Sequence, residues 1–154
     1  MKSISKLAKM AEYIGHFNVT ETEIDYVTDK TWSNFRDMGN IVYFMYVKGR
    51  LMKIGIAGGS RGWYGRVDKY KGGASKRGDA TNRRILGVMK ELGESKIDIY
   101  AVAAPKMPIS LTCPLTGDII NGEVEVNRTI EQNLTSRYLS ESELHDLPFS
   151  KQLK

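Results

Sequence analysis

A tyrosine in Ile41-Val42-Tyr43, a lysine in Lys53-Ile54-Gly55, Arg66 with Tyr70 beyond it, and Glu131 in Ile130-Glu131-Gln132-Asn133-Leu134 are residue types that can break a phosphodiester. That hydrolysis needs an activated water, donors for the charge building on the phosphate oxygens, and stabilisation of the departing sugar oxygen. A phenol is a poor base at its ordinary pKa of about 10, but a nearby cation favours the phenolate. Lys53, beside Tyr43 on a paired strand, would therefore make Tyr43 competent to take a proton from water. Arg66 would offer a planar donor fork to a non-bridging phosphate oxygen. Glu131 is the one carboxylate in the set, which suits a Mg²⁺ ion held by one protein ligand, substrate oxygens and waters, with Mn²⁺ as a substitute.

Glu123 and Glu125 compete with Glu131 for the metal, but they precede its helix and lack its spacing to Leu134 and Tyr138. Gly58-Gly59-Ser60-Arg61-Gly62 is glycine-rich, yet no Gly-Lys-Ser/Thr follows it, which excludes a nucleoside triphosphatase loop. His16, His145 and the single Cys113 supply no zinc-ligand spacing and no disulfide.

The elements that must position these residues are legible from the pattern. Ile41 to Val47 and Leu51 to Ala57 are β-branched and apolar runs flanking Lys48-Gly49-Arg50, which predicts an antiparallel hairpin. Tyr64, Val67 and Tyr70 predict a short helix that places Arg66 and Tyr70 one turn apart on one face. Thr81 and Asn82 start a further helix with Ile85, Leu86, Val88, Met89 and Leu92 inside and Gly93 as its stop. Ile97 to Ala103 predicts a third strand, Pro105 to Gly122 a turn-rich stretch with a protruding turn at 114–118, and Asn127 to Leu139 the last helix. Upstream, Leu7, Met10, Ala11 and Ile14 have helical spacing with Gly15 as a stop, and Thr20 and Thr22 ahead of Glu23 read as caps of a short helix or arm.

A chain of 154 residues, 41% of them apolar, is long enough for one domain with a sizeable core. It has no long apolar run and no leader-like start, so a soluble cytoplasmic protein without a membrane partner is expected. The net charge of +5 is unevenly spread: twelve Lys or Arg and two Asp lie between Lys48 and Lys90, leaving eleven basic and sixteen acidic residues elsewhere. With Trp63, Tyr64 and Tyr70 interleaved, that third of the chain predicts a nucleic-acid surface. Arg61, Lys71, Lys76, Arg77, Arg83 and Arg84 are its candidate DNA contacts, and the segments 71–84 and 108–122 are candidate DNA-reading elements.

Taken together, these fragments resemble the GIY-YIG nuclease superfamily over residues 40 to 152. Ile41-Val42-Tyr43 and Lys53-Ile54-Gly55 stand for its two-part signature, with ten residues from Tyr43 to Lys53. Lys53 replaces the signature tyrosine, as in some compact type II restriction endonucleases of the superfamily. Arg66 and Tyr70 resemble its Arg followed by Tyr or His, and Ile130 to Leu134 with Tyr138 resembles its metal-binding glutamate helix. Leu147-Pro148-Phe149-Ser150-Lys151-Gln152 resembles its closing motif, with Ser150 in place of Asn. The local order also resembles the phage endonuclease II branch.

The resemblance implies an α/β (α+β) fold: a small three-stranded mixed or antiparallel sheet flanked by helices over 40–154, preceded by an N-terminal helical extension or arm over 1–39. It implies a Mg²⁺-dependent endonuclease acting on double-stranded DNA, with Tyr43, Lys53, Arg66, Tyr70 and Glu131 as its catalytic set. Site-specific cutting of both strands would call for a homodimer. The competing classes are a phage or mobile-element nuclease of low specificity and a noncatalytic nucleic-acid-binding relative.

Overall fold

The computed structural model describes residues 11–29, 39–71, 80–104, 106–138 and 147–149. The element order is β1 (Glu12–Val19), β2 (Ile24–Val27), β3 (Ile41–Val47), β4 (Arg50–Ala57), α1 (Gly62–Tyr70), α2 (Ala80–Leu92), β5 (Lys96–Ala103), β6 (Met107–Thr112), β7 (Ile119–Val124) and α3 (Asn127–Tyr138). Five strands form one antiparallel sheet in the order β2-β1-β5-β3-β4, and β6 and β7 form a separate two-stranded ribbon. The architecture is α+β.

The sheet is larger than the three strands expected, because residues 12–27 join it. Helical spacing at Ala11 and Ile14 misleads: Ile14, Phe17 and Val19 are buried on β1, which pairs with β5 on one side and β2 on the other. Residues 1–10, the start of the expected helix, lie outside the described residues. Gly15 is not a helix stop. It sits at a register shift between Tyr13 and Gly15 with φ +133°, and a Cβ there would come within 2.6 Å of the Val27 carbonyl oxygen.

The hydroxyl of Thr20, read as a helix cap, accepts the Glu23 N–H at 3.0 Å, and the Thr20 N–H reaches the Glu23 carbonyl at 2.9 Å. The same side-chain chemistry that caps helices here closes the β1–β2 turn. The arm expected over 1–39 thus contributes two strands to the five-stranded sheet.

The hairpin β3–β4 turns through Lys48 at φ 50° and Gly49 at φ 79°, the pair of positive values that matches a two-residue turn to strand twist. All seven residues of β3 are buried because helices lie on both faces of the sheet. On one face Tyr43 and Met45 pack with Trp63 and Val67 of α1 and with Ile85 and Met89 of α2. On the other, Val42 and Phe44 pack with Ile130 and Leu134 of α3. The edge strand β4 touches both α1 and α3. Leu147 and Phe149 are buried in opposite layers, and the Phe149 N–H binds the Met52 carbonyl at 3.1 Å, so the closing segment clips the edge strand.

Gly15→Ala should cost about 2 kcal/mol or more, since a side chain there meets backbone as well as an unfavourable φ. Gly117→Ala, at φ +79° with nothing within 4 Å, should cost about 1 kcal/mol. Urea denaturation of both variants checks the ordering; equal losses would remove the close approach of Gly15 to β2.

Candidate functional site

Tyr43 is placed by a slip in the hairpin. The register runs Val47 to Arg50 and Tyr46 to Leu51, then shifts so that Met45 faces Lys53 and Tyr43 faces Gly55. Without that extra residue Tyr43 would face Ile54, and Lys53 would turn to the opposite side of the sheet. The shift gives Tyr43 the one neighbour with no side chain: a Cβ on Gly55 would overlap its Cζ, Oη and Cε2 atoms. The Tyr43 ring is held by Trp63, with centroids 5.0 Å apart, and is 1% exposed.

From α1, Tyr70 meets Tyr43 hydroxyl to hydroxyl at 2.8 Å, a buried pair in which each phenol supplies the other with a partner. Arg66, one turn earlier on α1, donates through Nη2 to the Ile56 carbonyl of β4 at 3.2 Å. Lys53 lies diagonal to Tyr43 on the paired strand and is partly buried. From the other layer, Ile130 and Leu134 seat α3 on the sheet and bring Glu131, half-buried, into the electrostatic field of Lys53 and Arg66. Tyr43 and Tyr70 thus meet directly, and Arg66, Lys53 and Glu131 lie within electrostatic reach of one another beside them.

Their ionisation is mutually dependent. Burial pushes the Tyr43 phenol above its ordinary value; Arg66 and the Tyr70 hydroxyl pull it back, and Glu131 adds to the rise. Tyr70 is pushed well up by burial and by Tyr43, with Arg66 opposing. Lys53 is lowered by burial and by Arg66, against Glu131. Glu131 is raised by burial, against Arg128, Lys53 and Arg66. Arg66, on the helix, is thus a cation that favours the Tyr43 phenolate, alongside Lys53, the strand neighbour singled out from the sequence.

Two residues outside the expected set fix the layers to each other. Asn127, 3% exposed at the start of α3, donates through Nδ2 to the Ala57 carbonyl at 3.1 Å, while its Oδ1 accepts the Arg128 N–H at 2.9 Å. Glu125 Oε1 accepts the Gly59 N–H at 2.9 Å. The competitor for the metal thus has a structural task, tying the β4–α1 loop to the chain entering α3. An Asn opening a helix was the visible signal for Asn127; nothing in sequence spacing links Glu125 to Gly59.

A cleft of about 340 Å³ has Gly58, Gly59, Arg61, Gly65, Arg66 and Lys69 in its wall, and of the five residues singled out from the sequence Arg66 is the one that lines it. Arg61 is exposed, pairs with Asp68 at 2.6 Å and lies 5.4 Å from the centre of the Tyr64 ring. Asn82, buried, donates to the Lys69 and Tyr70 carbonyls at 3.1 and 3.3 Å and docks the start of α2 on the end of α1. Exposed Lys71 and Arg83 and half-buried Arg84 gather around that junction. Lys76, Arg77 and His145 lie outside the described residues, as does the side chain of Tyr138. Among the described residues no helix is long and apolar enough to cross a membrane, and no three His, Cys, Asp or Glu side chains gather as a metal cage.

No known family profile and no curated protein matches the sequence. Solved structures do match. The restriction endonuclease HPY188I, in complex with product DNA, is similar with a TM-score of 0.54 and 14% identity, over 87% of this chain and 76% of that one. Bacteriophage T4 EndoII, solved as a mutant, is similar with a TM-score of 0.55 and 15% identity, over 88% of this chain and 94% of that one. The α+β fold is one that these two nucleases share.

Tyr13, Tyr26, Tyr43, Tyr46 (to about 12) and Tyr70 all hold their protons more tightly than a free tyrosine, chiefly through burial. In the unfolded chain they ionise near pH ~10. Folding free energy is therefore kept in full below that pH and lost as pH rises past it. Tyr43→Phe should lower stability at neutral pH by about 1–3 kcal/mol, because the Tyr70 hydroxyl is left without its partner, and should make the alkaline loss shallower. Denaturation midpoints across the alkaline range decide this; an unchanged alkaline slope would mean that Tyr43 is solvated.

Proposed function

We propose that this chain is a Mg²⁺-dependent DNA endonuclease of the GIY-YIG type that cuts double-stranded DNA at specific sites as a homodimer. The observation that carries the reading is the convergence of Tyr43, Tyr70, Arg66, Lys53 and Glu131 from four elements toward one edge of the sheet, where Arg66 also lines a cleft walled by glycines and basic side chains. Two nucleases, one solved with product DNA, share the fold, which supports the same reading.

In this reading Arg66 and Lys53 receive the scissile phosphate. Arg66 is already held toward the edge strand by Ile56, so little ordering is left for binding. Tyr43 takes the proton of the attacking water as phenolate, the form favoured by Arg66 and by the hydrogen bond from Tyr70 and opposed by burial and by Glu131. Neutralising the charge of Glu131 removes one of the two opposing effects. Glu131 is the residue that would hold Mg²⁺: a single half-buried carboxylate fits a hard cation that keeps most of its waters and takes other oxygens from DNA, with Mn²⁺ as substitute. When bound, the ion supplies positive charge for the leaving sugar oxygen. Lys69, Lys71, Arg83 and Arg84 supply the basic track along the flanking backbone, and Arg61 borders the cleft; the candidates Lys76 and Arg77 lie outside the described residues.

Purified protein incubated with plasmid and linear DNA, with and without Mg²⁺, tests this directly. Discrete fragments support site-specific cleavage, a smear supports a low-specificity nuclease, and intact DNA with retained binding leaves a noncatalytic binding protein. Glu131→Gln should abolish cleavage and keep DNA binding. Tyr43→Phe should be inactive at every pH. Arg66→Ala should cut roughly a hundredfold or more slowly and move the pH–rate profile upward, since it acts on both the phosphate and the phenol. Lys53→Met should slow cleavage without that shift. A near wild-type rate for Glu131→Gln would take Glu131 out of the site.

A further inference from the structure

Among the described side chains of α3 only Asn127 is buried, while Ile130, Glu131 and Leu134 are half-buried. Contacts between hydrocarbon surfaces are not directional. Those of Ile130 and Leu134 with Val42 and Phe44 set the height of the helix above the sheet and resist rolling or sliding only weakly. Rolling matters here, because a slip of one residue turns the side chains of a helix by about 100°. Glu131 would then leave the neighbourhood of Lys53 and Arg66.

Hydrogen bonds at one end of α3 supply the direction that the apolar contacts lack. Asn127 Nδ2 donates to the Ala57 carbonyl at 3.1 Å and its Oδ1 accepts the Arg128 N–H at 2.9 Å, so both ends of the amide are engaged. Such bonds fix a length and an angle, and a side chain 3% exposed has no water to replace them. The residue before Ala57 is Ile56, whose carbonyl accepts from Arg66 Nη2 at 3.2 Å. Two successive carbonyls at the end of β4 thus receive one side chain from α1 and one from α3. The same strand carries Lys53 and, at Gly55, the residue facing Tyr43. Glu131 follows Asn127 by four residues, one turn on and on the same side of α3.

We infer that Asn127 is a positioning residue: by tying the first turn of α3 to the strand end that also holds Arg66, it sets the register in which Glu131 stands against Arg66 and Lys53. Its part in cleavage rests on the nuclease reading, in which Glu131 holds the cation and Arg66 meets the phosphate. The register itself belongs to the fold and is measurable without DNA or metal.

Asn127→Asp separates the two bonds, because a carboxylate keeps an acceptor for the Arg128 N–H, loses the donor to Ala57 and sets negative charge against that carbonyl. Methyl NOE spectra of the full chain, free of DNA and metal, should show the contacts of Ile130 and Leu134 with Val42 and Phe44 displaced. In single-turnover cleavage the rate should fall roughly ten- to a hundredfold, and the Mg²⁺ concentration giving half the maximal rate should rise by a similar factor, as for residues that orient a metal ligand. DNA affinity without metal should stay within about twofold, since no basic side chain changes. Should Asn127→Asp fail to fold in circular dichroism melts, Asn127→Ser carries the same test, as its hydroxyl keeps an oxygen near Arg128 but is too short to replace the amide. A variant that melts lower yet cuts with the wild-type rate and Mg²⁺ response would overturn the proposal, as would unchanged contacts of α3. A wild type that cuts no DNA would sink the nuclease reading, and the NOE contacts would still decide whether Asn127 sets the register.

Discussion

Two phenol hydroxyls 2.8 Å apart inside an apolar layer constrain most of what surrounds them. A buried hydroxyl without a partner costs about 1–3 kcal/mol, so neither Tyr43 nor Tyr70 is tolerable there alone. The pair locks β3 to the last turn of α1, and through α1 it sets where Arg66 stands one turn earlier. It also dictates the neighbours. Gly55 must lack a side chain because the Tyr43 ring occupies that volume, and Trp63 fills the space beside the ring while its Nε1 donates to the Tyr26 hydroxyl at 3.2 Å. That last bond carries the constraint outward to β2, which explains why a strand far from the hairpin belongs to the same packing unit.

The hairpin could not deliver Tyr43 to this position with a regular register. The two-residue turn at Lys48-Gly49 sets one pairing, and the shift past Met52 sets another. Because side chains alternate, one extra residue exchanges the faces of everything beyond it. Gly55 and Lys53 come to the side of Tyr43, and Ile54 and Ile56 go to the layer of α3. The bulge therefore decides the composition of the site, and Met52, 0% exposed and accepting from the Phe149 N–H, is held in place by the closing segment.

The elements carried by local chemistry were legible in the sequence. Lys48-Gly49 announces a tight turn, Gly93 at φ +67° ends α2, and the spacing of Ile130 and Leu134 seats α3. Elements that depend on partners were not. Residues 12–27 satisfy a weak helical pattern as well as a strand pattern, and only pairing with β5 decides between them. The five candidate residues could be named because their types are chemically rare together, but the reach of Arg66 to Tyr43 could not, since it depends on how α1 lies across the sheet. The ribbon was hidden for another reason. Prolines 105, 108 and 114 and glycines 117 and 122 read as turns, while the alternation of Met107, Ile109 and Leu111 against Ile120 and Val124 has meaning only once the two strands are in register.

The charges around the tyrosines make little sense as a stabilising device. Lys53 and Arg66 repel each other in a partly buried place, and burial disfavours the charged forms of both Lys53 and Glu131. Apolar residues of similar size would serve the fold at least as well. On the proposed nuclease reading, the arrangement makes sense as a place prepared for an anion. A phosphate near Arg66 and Lys53 turns their mutual repulsion into shared attraction, and positive charge arriving at Glu131 lifts its opposition to a Tyr43 phenolate. On that reading, the burial that disfavours the charged forms of Lys53 and Glu131 is what a phosphate beside the cations and a cation beside the carboxylate would relieve, and that relief would be binding energy available when both are engaged.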